Sequence, residues 1–89
     1  MQRKTKEIMK YCMCIEQRHC DPIYVRGLES WKDVTDYLKN KLETRAWGVN
    51  IVKYSSDGKL LGRIFVTMKN FIKVATSTTD KVLKRRNEV

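Results

Sequence analysis

Residues 49–68 leave the chain few options. Two apolar-rich runs whose alternate residues would share a face, 49–54 and 60–68, flank the tetrapeptide Ser55-Ser56-Asp57-Gly58. Alternation with a period of two belongs to a half-buried strand. A short Ser/Asp/Gly stretch, with a glycine able to take positive φ without steric penalty, belongs to a hairpin turn. The pattern therefore predicts an antiparallel hairpin. In its second arm Leu60, Gly62, Ile64, Val66 and Met68 share one face, and Leu61, Arg63, Phe65, Thr67 and Lys69 share the other.

The flanking segments extend this into an α+β domain. Residues 8–16 read as a strand, with Met9, Tyr11, Met13 and Ile15 on one side. The density of Tyr, Cys and Ile favours that over a helix, although Ile8, Cys12 and Ile15 also fall at helical spacing. Pro22 makes 18–22 a loop, and 23–25 is a short extended piece closed by Gly27. Trp31, Val34, Leu38 and Leu42 form a stripe at spacings of three and four, so a long helix is expected over 31–45. Ser30 is its N-cap, and Asp33 meets the positive end of the helix. Residues 71–75 read as a third consecutive strand, or as a bulged continuation of the second, with Ile72 and Val74 facing the core. Ser77, Thr78 and Thr79 offer caps for a short C-terminal helix over 79–87. The expected architecture is one small basic domain spanning 1–89: an antiparallel sheet of three to five strands, one long helix packed on it, and a short C-terminal helix. At 89 residues the chain suits one core, not two.

Charge is the feature that speaks of partners. Residues 1–43 carry nine basic and seven acidic side chains, while 44–89 carry ten basic and three acidic, a balance of +7 in the second half alone. Charge of one sign over half a small domain attracts polyanions, of which phosphate backbones are the commonest. The outward face of the hairpin interleaves cations with rings: Arg63, Phe65, Phe71 and Lys73, with Lys53 or Tyr54 nearby. Rings offer flat surfaces to unstacked bases and cations meet phosphates, the combination that suits single-stranded nucleic acid. The same two phenylalanines serve equally well as core residues of a sheet covered on both sides.

The expectation is a non-enzymatic binder of RNA or other single-stranded nucleic acid. Lys53, Arg63, Lys69, Lys73, Lys81, Lys84, Arg85 and Arg86 would meet phosphates, and Phe65, Phe71 and one of Tyr24 or Tyr54 would stack bases. The alternative is a small regulator of the viral or mobile-element kind. It would inhibit or recruit a host enzyme such as a ribonuclease, using its basic face against an acidic or RNA-binding protein, or using strand 71–75 as an edge for a partner or a second copy of itself.

Other chemistries find less support. Cys12, Cys14, His19 and Cys20 lie within nine residues, but adjacent His19-Cys20 suits one tetrahedral metal poorly and no Cys-x₂-Cys pair exists. His19 is the only histidine, with no nucleophile or paired carboxylate beside it, so neither catalysis nor a cofactor is expected. The odd cysteine count fits reduced thiols and a cytoplasmic location. The apolar run 8–15 is broken by Lys10, and nothing approaches the roughly 20 apolar residues of a membrane span.

Two segments carry a family likeness. Ile23-Tyr24-Val25-Arg26-Gly27-Leu28 resembles the first short motif of RNA-recognition-motif domains, and Leu61-Gly62-Arg63-Ile64-Phe65-Val66-Thr67-Met68 resembles the second at Gly62, Phe65 and Val66. The likeness covers about residues 23–68. It implies an open sheet face on which Tyr24 and Phe65 stack bases. Arg63 stands where that family has a further aromatic, and 69–75 reads as strand where the family begins its second helix.

Overall fold

A computed structural model describes residues 10–42 and 44–85. It contains a five-stranded antiparallel sheet in the order β2-β1-β3-β4-β5. The strands are β1 Lys10–Gln17, β2 Ile23–Leu28, β3 Ala46–Tyr54, β4 Leu60–Val66 and β5 Lys84–Arg85. Helix α1, Trp31–Asn40, links the β1–β2 hairpin to the β3–β4 hairpin, and a one-turn helix α2, Phe71–Ala75, follows β4. The fold is α+β, and among the described residues no helix is long and apolar enough to cross a membrane.

The alternation read from β1 and the second hairpin sets the two faces of the sheet. Tyr11, Met13 and Ile15 on β1 line up with Val49 and Ile51 on β3 and with Ile64 and Val66 on β4. Under α1 this face forms the core: Val34 and Ile51 are fully buried, and Met13, Ile15, Leu38, Val49 and Val66 nearly so. Met9, expected on the same side, lies outside the described residues. In the β3–β4 turn the Ser55 hydroxyl donates to Asp57, and Gly58 takes φ 88°, the left-handed conformation the tetrapeptide implied.

Helix α1 begins as its sequence dictates. Ser30 Oγ accepts from Asp33 N at 3.1 Å while the Asp33 carboxylate accepts from Glu29 N at 3.2 Å, closing the first turn from both sides. Its end is earlier than the stripe suggested. The Lys41 N–H closes on Tyr37 O, and the chain then leaves for the sheet, where Arg45 O accepts from Arg18 N at 3.0 Å. Leu42 still packs on the core, but from beyond the helix.

Two further expectations are corrected. Residues 71–75 are helical, not a strand. Asn70 turns the chain: its Oδ1 accepts from Thr67 N at 2.7 Å and its Nδ2 donates to Phe65 O at 3.2 Å. A five-residue apolar stretch fits either period, and burial against α1 selects the helical one, with Val74 and Ala75 inside and Ile72 72% exposed. The edge strand on which pairing with a partner or second copy was expected is therefore absent. Nor does a C-terminal helix form over 79–85. Thr79 caps only the 3₁₀ turn Asp80–Val82, after which Leu83 buries in the core and β5 pairs with Gly62 and Arg63. Gly62 makes this approach feasible, since a Cβ there would sit 3.0 Å from Lys84 O.

Asp80 fastens this last segment to the sheet. Its carboxylate accepts from Tyr11 Oη at 2.6 Å and pairs with Lys53 Nζ at 2.6 Å. Nearby, Trp31 Nε1 donates to Ser77 O at 3.0 Å. Burial alone would raise the Asp80 pKa, but the bonds from Lys53 and Tyr11 outweigh it and hold the carboxyl below its ordinary value. Burial, then the bond to Asp80, pushes the Tyr11 hydroxyl well above its own. A carboxyl depressed on folding stabilises the fold above its unfolded pKa, and that contribution disappears as pH falls through the folded value. The melting temperature should therefore be level near neutrality and drop below about pH 4. Asp80→Asn should lose roughly 1–3 kcal/mol at neutral pH and converge with the parent in acid. Parallel pH profiles for the two proteins would show that Asp80 is no such fastener.

Candidate nucleic-acid interface

The helices cover one side of the sheet, and the side chains of the other alternate outward. Across it runs a single row, Tyr24–Cys14–Asn50–Phe65, on β2, β1, β3 and β4. Tyr24 is 65% exposed and Phe65 38%. Three strand spacings separate them, about 14 Å. The next row holds Cys12, Val52, Arg63 and Lys84, the last two directly paired across β4 and β5. Arg26 and Tyr54 belong to the same side, bordering a hollow of about 410 Å³ with Cys12, Cys14 and Tyr24.

Phe65 is held from two directions. A bulge between Glu16 and Gln17 puts Trp47 out of the β1–β3 ladder, and its ring meets Phe65 edge-on at 5.9 Å. Below lies Gly48, where an added Cβ would overlap the Phe65 ring. Trp47 is itself 46% exposed. The Glu16 carboxylate stands on this face opposite Gly48, and it accepts a weak bond from the Cys14 thiol at 3.5 Å. Burial, with that bond second, pushes the Cys14 pKa up, so the thiol stays protonated and behaves as a small apolar group in the floor.

A comparison of the chain with family models, curated proteins and solved structures found no match.

The cations named from the sequence divide between two places. Arg63, Lys73 and Lys84 converge with Phe65 at the β4 edge. Lys53 lies on the helix-covered side in its ion pair with Asp80, beside Lys81 and Arg85. Lys69 is exposed in the turn before α2, and Arg86 falls outside the described residues. Phe71 is half-buried against the core at the end of the sheet, near Leu42 and Trp47, and does not share the open face. Thus the sequence-named set yields Arg63, Phe65, Lys73 and Lys84 as one cluster.

The open face also holds residues that the sequence reading passed over. Arg26 and Asn50 could have been found by extending the alternation through β2 and β3. Trp47 could not, because its position depends on the bulge. The segments that resemble the RNA-recognition motif lie on β2 and β4, separated by β1 and β3, yet Tyr24 and Phe65 fall in one row. The cysteines and histidine disperse: Cys12 and Cys14 are on the open face, His19 takes φ 59° in the β1–β2 loop, and Cys20 accepts from Arg45 at 3.0 Å. Among the described residues no three potential ligands of this kind come together.

Proposed function

We propose that this protein binds single-stranded nucleic acid, RNA in preference to DNA, on the open face of its sheet and does no chemistry on it. The observation that carries the reading is the row from Tyr24 to Phe65, two exposed rings on the sheet face that no described helix covers, with Arg63 and Lys84 paired beside it. Rings spaced along a flat face accept bases of any identity, and the cations track the backbone, so binding is largely independent of sequence. The basic second half of the chain raises the local concentration of polyanions and speeds their arrival.

A salt titration tests it. With three or four phosphate contacts, the logarithm of the affinity for a single-stranded RNA should fall against log salt with a slope of about −2 to −3. A duplex of the same length hides its base faces and should bind more weakly. Absence of affinity at low salt would end the reading, and a duplex bound as tightly as the strand would remove the rings from it. The rival occupant, an acidic protein surface, would stay bound after nuclease treatment, whereas partners held through RNA would be lost.

A further inference from the structure

Beyond Phe65 the open face does not simply run out into solvent. Among the described residues strand β5 pairs with Gly62 and Arg63 and reaches no further along β4 toward Phe65. The β4 edge past Arg63 is thus left between β5 and α2, and a hollow of about 640 Å³ opens there. Arg63 from β4, Lys73 from α2 and Lys84 from β5 line it, with Phe65, Asn50 and Val82 among the remaining walls. Among the described residues no carboxylate lines it. Among the described residues none of these three cations forms an ion pair.

We infer that this hollow seats the terminal phosphate of a nucleic-acid strand, a phosphomonoester and not an internal phosphodiester. The inference rests on the proposed use of the open face. Two independent features support it. The first is charge. An internal phosphate carries one negative charge and would leave most of a three-cation recess unmatched. A terminal phosphomonoester carries about −1.5 to −2 at neutral pH, with three acceptor oxygens. Cations supplied by three separate elements can approach such a group from different sides, each through a charge-assisted hydrogen bond. The second is direction. Among the described residues no strand continues the row past Phe65, so a nucleic-acid strand laid from Tyr24 to Phe65 reaches the β4 edge at the hollow where the cations gather. A base on Phe65 is then the last base, and its own terminal phosphate falls into the hollow.

The test uses one RNA oligonucleotide in three forms, with a 5′-phosphate, with a 3′-phosphate, or with hydroxyls at both ends, measured against the full chain at fixed salt. One phosphorylated form should bind about tenfold more tightly than the hydroxyl form, the effect of roughly one added charge-assisted hydrogen bond. Which form gains identifies the strand's polarity. The advantage should shrink as pH falls below about 6, where the monoester takes up its second proton. Lys73 and Lys84 are both exposed, so the double variant Lys73→Gln, Lys84→Gln should fold normally by circular dichroism and lose the advantage. Equal affinity for all three ends, or an advantage unchanged in the double variant, overturns the end site while leaving the face reading intact. Failure of every form to bind overturns both.

Discussion

Replacing Ile51 with alanine is expected to bring the fold close to collapse. Ile51 is fully buried at the middle of the central strand, flanked by Met13 on β1 and Ile64 on β4 and covered by α1. Truncating a buried isoleucine removes its transfer free energy and leaves a cavity, about 2–5 kcal/mol together. A domain of this size holds on the order of 5–10 kcal/mol in all. In urea the midpoint should move far toward zero denaturant with little change in slope. Ile72→Ala is the internal control, because Ile72 is 72% exposed on α2. Its midpoint should shift by no more than about 0.5 kcal/mol equivalent. Similar losses at both positions would mean that the core is not where the burial pattern puts it.

The second large effect concerns the ligand. Tyr24→Ala and Phe65→Ala should each weaken binding of single-stranded RNA by about tenfold to a hundredfold, the contribution of one stacked base. The rings are about 14 Å apart, three strand spacings, beyond the range at which substitutions usually couple, so the double variant should show roughly the product of the two losses. Fluorescence anisotropy with a labelled oligonucleotide reads this directly. Denaturation in urea controls for folding, and Tyr24, the more exposed ring, should leave stability nearly unchanged. Affinity preserved in the double variant would reduce the interface to its cations.

How much of this was legible in the sequence depends on how local each signal is. The β3–β4 hairpin, the inward side of β1 and the start of α1 were all readable, because alternation, turn chemistry and capping act over a few residues. What failed was decided by distant parts of the chain. The stretch 71–75 was short enough to fit two periods, and the Asn70 turn with the surface of α1 chose between them. The C-terminal segment had a good cap in Thr79, but a vacant edge on β4 and the missing side chain of Gly62 drew Lys84 and Arg85 into the sheet. The candidate interface split for a different reason, a local signal that was not followed. Charge counts treated Lys53 like Arg63, whereas alternation along β3 turns Lys53 to the covered side, where Asp80 takes it up. Trp47 had no local signal at all, since a bulge exists only relative to a partner strand.

The seat of Phe65 has a consequence for the thermodynamics of any encounter on this face. An exposed aromatic side chain ordinarily samples several rotamers and must give up that freedom when something stacks on it. Here Gly48 leaves a depression that the ring fills and Trp47 abuts it, so most of that freedom is already surrendered when the protein folds. A planar ligand would arrive at a surface organised in advance, and little of its binding free energy would be consumed in arranging the platform.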